Sequence, residues 1–367
     1  MFLARRDLAA ARGRFLLMGS VVTLIALLGV LLAGLATGLV DAGTSGLAGL
    51  RADHLAFQSG SEATFSRSFL DAATVGALSE RARKEGGAAT PLGVSLFNAR
   101  ERSGDVVDLA LFGVEQGAFL APEVRRGRGL DGSPPGSVVI SAELAREGVK
   151  VGDTLTVGLD DRPLTVVGVT EGGTYGHVPL AFTDLATWQD VTPGAVGRDG
   201  GRLASAVALR VDDGEAVARG VSGVEVLTMT QAFDGSPGYV AEMSTMTLIR
   251  GFLLVISALV VAAFFTVWTV QRRPQIGLLK AMGATNGYVV RDALGQMFVV
   301  LLVATGLGTL VGVGLGALMP DAAPFSLEPG AVLGAGAALV VAGLLGSLAA
   351  VRRITSVDPL IALGAQR

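Results

Sequence analysis

Glu242, Met246 and Arg250 recur at i, i+4 and i+8 near one end of an apolar run, with Tyr239 and Met243 beside them. On a helix this spacing gathers side chains on one face. A charge at membrane depth is costly, so Glu242 and Arg250 are candidates to face a substrate, with Tyr239 alongside. Met243 and Met246 would add a soft, adaptable apolar wall. The plainer alternative is that Arg250, one turn inside the run, snorkels outward and the methionines simply pack. Other chemistry is sparse. His54 and His177 are the only imidazoles, and neither stands in a cluster offering the three or four ligands of a zinc site. Cysteine is absent, which removes disulfides, thiolate metal sites and thiol nucleophiles. Spacing singles out no Ser-His-Asp set, and no G-x-x-x-x-G-K-S/T phosphate loop occurs. The expectation is a chain with no catalytic residues, no metal site and no intrinsic cofactor, dependent on a separate chain for any ATP hydrolysis.

A second group of residues is suited to contact. The stretch 271–285, QRRPQIGLLKAMGAT, carries only basic charges, at Arg272, Arg273 and Lys280. Pro274 is tolerated in a first helical turn, and Ile276, Leu279, Ala281 and Met282 follow at helical spacing. The spacing predicts a short amphipathic helix on the inner membrane surface, met by something in the cytoplasm.

The elements that carry these groups are apolar. The chain of 367 residues is 50% hydrophobic and 17% charged, with mean hydropathy +0.57. Soluble domains average about 25% charged residues, so the deficit points to a bilayer, and nothing points to nucleic acid. Four spans are expected, at 15–40, 245–270, 291–319 and 330–351. The first is too long for a secretory signal, whose apolar part runs about 7–15 residues. A surface helix is expected at 1–14, a coupling helix at 271–290, a short outer loop at 320–329 and a tail at 352–367. Residues 41–244 have ordinary globular composition and are expected to form an α+β domain of two lobes. Strand-like runs stand at 138–140, 154–157, 164–169 and 206–211, and helix-like pieces at 68–84, 141–147 and 182–190. The charged loop 125–136, RRGRGLDGSPPG, divides them. Gly308, Gly312 and Gly316 form a stripe for close helix packing, repeated by Gly34 with Gly38 and by Gly330 with Gly334. Four spans enclose little space in one copy, so a dimer is expected.

Orientation follows from charge. The segments proposed as cytoplasmic hold 11 of the 29 basic residues but only three of the 32 acids, Asp7, Asp292 and Asp358. Lys and Arg concentrate on the cytoplasmic side of membrane proteins. Both termini are therefore expected inside the cell membrane, with the large domain extracytoplasmic.

One amino-terminal span, a large outer domain and three carboxy-terminal spans resemble the FtsX/MacB-like permeases of ABC transporters. Three motifs carry the resemblance. QRRPQIGLLKAMGAT is similar to the family's segment between the second and third spans, SVVISAELAREGVKVGDTLTVGLDDRPLTVVGV at 137–169 to its outer-domain signature, and VRRITSVDPLIAL at 351–363 to its tail. The resemblance implies a homodimeric permease driven by an ABC ATPase dimer. Arg272, Arg273, Gln275, Ile276, Leu279, Lys280 and Gly283 would then form the coupling helix. Gln275 departs from the acid usual in the family, which bears on any ion pair with the ATPase. The amino-terminal stretch further resembles the HrtB and DevC-like branch, which implies haem as a transported substrate, with Glu242 its best-placed ligand. Two other roles fit the same architecture. One is an FtsX-like mechanotransmitter acting on a cell-wall or lipoprotein partner without transport, the other a sensor of antimicrobial peptides.

Overall fold

The computed structural model describes residues 12–158, 160–197, 200–271, 277–278, 282–319 and 323–354. In chain order the elements begin with α1 (Arg12–Ala48), β1 (His54–Gln58), α2 (Ala72–Lys84), β2 (Ala88–Glu101), β3 (Val106–Val114), β4 (Val124–Gly127) and β5 (Ser137–Ile140). Then come α3 (Ala142–Arg146), β6 (Thr154–Val157), β7 (Arg162–Thr170), β8 (Thr174–Tyr175), β9 (Val178–Asp184), α4 (Leu185–Val191), β10 (Ala206–Arg210) and α5 (Gly214–Ala218). The order closes with β11 (Val224–Thr228), α6 (Met229–Ala232), α7 (Tyr239–Gln271), α8 (Asn286–Gly316) and α9 (Pro329–Ile354). Two compact units result, Met1–Gly38 with Met243–Arg367, and Leu39–Glu242. Most of the surface helix expected at 1–14 and of the tail expected at 352–367 lies outside the described residues.

The first unit is built on α1, α7, α8 and α9, each long and apolar enough to cross a membrane. Their bounds overrun the apolar stretches, because polar residues continue or cap the helices. On α1 the Thr44 hydroxyl donates to the Val40 carbonyl at 2.7 Å, so the helix passes Asp41 and stops only at Ala48. Gly238, at φ +82°, precedes the start of α7. The Thr285 side chain accepts from the Tyr288 amide and opens α8 at Asn286.

Lipid offers no hydrophobic drive for helix association, so close backbone approach must supply it. Glycines do so here. A Cβ at Gly308 would strike the Thr23 carbonyl and Ala26 of α1, and one at Gly312 would strike Val30. The Thr23 hydroxyl donates to the Ala304 carbonyl of α8 at 3.1 Å, tying the same pair of helices. On α9 the contacts fall at Gly343, against Leu301, and Gly346, against the Ala258 backbone of α7. The expected pair Gly330 and Gly334 is not used this way, since a Cβ at Gly334 would meet open space. Gly34, Gly38 and Gly316 instead receive the loop before α9. The Phe325 ring sits against Gly34 and Gly316, the Pro324 backbone against Gly38, and the Ser326 amide donates to the Gly34 carbonyl at 3.0 Å.

The second unit is an α+β domain around one 11-stranded sheet, ordered β11-β1-β10-β2-β3-β9-β5-β7-β4, with β6 bridging β2 and β7. The ladder β2-β3-β9-β5-β7-β6-β2 therefore closes on itself. Alternation along β3 serves two cores. Leu109 and Leu111 join a cluster with Val138, Ile140, Leu155, Leu164 and Trp188, while Ala110, Phe112 and Val114 join one with Phe57, Phe65, Tyr175 and Phe182. A third cluster packs Leu78 and Ala82 of α2 and Val217 of α5 on Ala56, Val207 and Leu209. The strands fall into two groups that share β2, which pairs with β10 through Ala88–Leu92 and reaches β6 at Arg100 and Glu101. The charged loop 125–136 is not that joint, because its first residues belong to β4, paired with β7.

Candidate functional site

Between β8 and β9 the chain reverses through Gly176 and His177, at φ +59° and +67°. Two successive left-handed residues match the right-handed twist of a hairpin, and His is among the few non-glycines that tolerate the conformation. The tip is tied on both sides. The Gly176 amide donates to the Gly43 carbonyl at 2.9 Å and the His177 amide to the Ala42 carbonyl at 3.0 Å. The Thr174 amide donates to Ser45 Oγ at 3.1 Å. Across from these, His177 Nε2 lies 2.9 Å from Glu242 Oε1, and the Tyr175 hydroxyl donates to the Gly235 carbonyl at 3.5 Å. One hairpin thus fixes both ends of the outer domain, residues 42–45 and 235–242. Tyr175 anchors it from below. Its ring lies edge-on to Phe65 and Phe112, and burial pushes the phenol well above its ordinary range.

The candidate residues share a face of α7. Tyr239, Glu242, Met243, Met246 and Arg250 are all half-buried, whereas Val240, Leu248 and Ile249 are exposed. Glu242 sits in the first helical turn, where a carboxylate complements the helix dipole. Arg250 does not point away from the protein. Its Nη2 donates to the Ala33 carbonyl of α1 at 3.4 Å, and that oxygen also accepts the Thr37 hydroxyl at 3.0 Å. His177 is the member that spacing did not reveal. The available signal was the Tyr-Gly-His turn between two short strand-like runs, which reads as a hairpin tip. His54 lies apart, with Nδ1 buried and making no hydrogen bond among the described residues.

Of the expected coupling residues, Arg272, Arg273, Gln275, Ile276, Leu279 and Lys280 lie outside the described residues. Gly283 is described, at φ +98°. The Met282 amide donates to the Leu278 carbonyl at 3.0 Å, and α8 begins after the Thr285 cap. Leu278 and Met282 are 63% and 70% exposed, an apolar surface among the described residues. Among the described residues no group of three His, Cys, Asp or Glu could hold a metal ion.

Four apolar helices with an extracellular α+β domain between the first and second define a membrane permease. The chain belongs to the ABC transporter permeases of the MacB/FtsX type. Its residues 17–225 match the MacB-like periplasmic core domain and residues 247–359 the FtsX-like permease C-terminal family. Across 367 residues it is 25% identical to a Staphylococcus haemolyticus protein named "Putative hemin transport system permease protein HrtB", covering 99% of each chain. An HrtB protein of the same description from Staphylococcus epidermidis is 22% identical over 62% of this chain and 63% of its own length. An uncharacterized ABC transporter permease of Mycobacterium tuberculosis is 26% identical over 76% of this chain and 74% of that one.

Proposed function

We propose that this permease exports a hydrophobic or amphipathic molecule, with haem as the preferred cargo, and is driven by a separate ABC ATPase through the segment at 271–290. The observation that carries the haem reading is the end-to-end similarity to a hemin transport permease. The sequence supports the need for a second chain, since it contains no phosphate loop. Its basic residues favour both termini in the cytoplasm, and four spans enclose little space in one copy, which favours a dimer paired with an ATPase dimer. In this reading Glu242 is the anionic ligand at the head of α7, with Met243 beside it and Met246 one turn along forming an apolar wall. The test is co-purification with the ATPase followed by ATP turnover in lipid. Haem should stimulate turnover, and Glu242→Ala should weaken that response. Turnover indifferent to haem and to other hydrophobic molecules overturns the reading.

A second reading has one observation in its favour. The hairpin tip at 174–178 ties down both ends of the outer domain, as a domain that transmits motion would require. An FtsX-like mechanotransmitter would respond to no small molecule and would bind a cell-wall or lipoprotein partner through that domain.

A further inference from the structure

In the outer domain β2 lacks a neighbour on one side for part of its length. The strand β10 follows it only along Ala88–Leu92, and β6 joins only at Arg100. Before Ala206 the chain of β10 lies away from β2. Ser205 Oγ still accepts the Val94 amide at 3.2 Å, but Ala204 already pairs with Leu70. Backbone groups of successive residues point to opposite sides of a strand. The Val94 amide faces the open side, and so does the Arg100 carbonyl, which accepts the Thr156 hydroxyl at 2.9 Å. The amides and carbonyls of Leu96 and Asn98 therefore face it too, and among the described residues no strand meets them there.

A cavity of ≈ 320 Å³ lies along this edge, and no charged side chain lines it. Val94 and Ser95 turn their side chains to opposite faces of the sheet. On the Val94 face the cavity is walled by Phe65 and Tyr175, and on the Ser95 face by Thr192, whose hydroxyl lies 3.2 Å from Ser95 Oγ. Natural sheets guard exposed edges with charges, proline or a bulge. From Gly93 to Ala99 this edge carries none of these, its register is unbroken, and Leu96 is 47% exposed. Free N–H and C=O groups match another extended backbone, and walls on both faces match side chains that alternate between them. Such walls admit one extended segment rather than the edge of a folded sheet, which brings covering layers of its own. We infer that β2 takes up an extended, uncharged peptide segment of a partner protein as an added strand at Leu96 and Asn98. This holds whichever reading of the transport role is right.

The test uses full-length protein in detergent and end-blocked hexapeptides in which valine alternates with threonine, serine or phenylalanine. Hydrogen exchange is read by mass spectrometry. With peptide bound, the amides of Leu96 and Asn98 should exchange about tenfold more slowly, since each gains a partner. Methylating every peptide amide removes the donors and should abolish that protection. Leu96→Pro deletes only an amide that faces the open side, where a strand tolerates proline. It should remove protection at Asn98 while the emission of buried Trp188 stays native. Leu96→Lys keeps the backbone intact, installs a guard and should weaken binding about tenfold. The inference is overturned if no peptide protects these amides, or if methylated peptides and Leu96→Pro behave like their parents. Protection that is present without peptide and grows with protein concentration would give the edge to a second copy, which also overturns it.

Discussion

His177 Nε2 and Glu242 Oε1 stand 2.9 Å apart across 65 positions of sequence, joining the hairpin tip to the first turn of α7. Both side chains keep about a third of their exposure. Such a pair contributes about 0–1 kcal/mol. A double-mutant cycle of His177→Ala and Glu242→Gln, read by thermal unfolding in detergent, should give a coupling of about 0.5 kcal/mol. A coupling several times larger would mean that the pair is a structural keystone rather than an adaptable contact.

The helix α2 provides a pH-dependent term of known sign. The Thr74 backbone amide, and then the Thr74 side chain, hold the Asp71 carboxyl below its ordinary 3.8. A depressed carboxylate adds stability above the unfolded value, and this is lost as pH falls through the folded one. At neutral pH Asp71→Ala should cost about 1 kcal/mol, the usual worth of an N-cap, while Asp71→Asn should cost little. In unfolding experiments the gap between wild type and Asp71→Ala should close as pH drops below 3.8.

Gly93 and Gly113 are direct partners in the β2–β3 ladder, and a Cβ on either would run into the Trp188 ring. The paired glycines form a shelf for that ring. Gly93→Ala or Gly113→Ala should therefore destabilise the outer domain by about 1–3 kcal/mol through overpacking. Trp188 emission and amide exchange along β3 would report it.

Gly308→Leu and Gly334→Leu make a matched comparison within the spans. The first forces α8 off Thr23 and Ala26, whereas the second meets open space. Overpacking costs about 1–3 kcal/mol, so only Gly308→Leu should lower the melting temperature in detergent. Equal effects would refute the assignment of the contact.

At the segment proposed for coupling Gly283→Asp imposes a left-handed strain of about 1–2 kcal/mol and adds a charge beside the exposed Leu278 and Met282. Leu279→Asp adds a charge within the amphipathic face read from the sequence. Both variants should insert in the membrane yet fail to link ATP turnover to export. Normal export by either would remove this segment from the coupling role.

The fold was legible where local pattern and burial agree. The four spans follow from apolar length, and β6 matches the run 154–157 because buried Leu155 and Val157 alternate with half-buried threonines. The strand β2 was not legible, because Pro91 and Gly93 look like punctuation until Trp188 and the neighbouring ladder are known. Phe182 read as the start of a helix, yet β9 runs to Asp184, whose side chain accepts from the Thr187 amide and starts α4 only afterwards. At the candidate site the shared face of Glu242, Met246 and Arg250 was visible in the spacing. The partners of its charged members, His177 and the Ala33 carbonyl, come from distant sequence that no helical period encodes.

The Phe325 ring and the Pro324 backbone fill successive glycine notches on α1. Gly34 holds the ring, and Gly38, one turn of about 5.4 Å further on, holds the Pro324 backbone. In the opposite direction the next turn presents Val30, whose branched side chain already packs at Gly312. The same kind of glycine that lets the spans approach so closely thus clamps the loop before α9 to α1 over two successive turns.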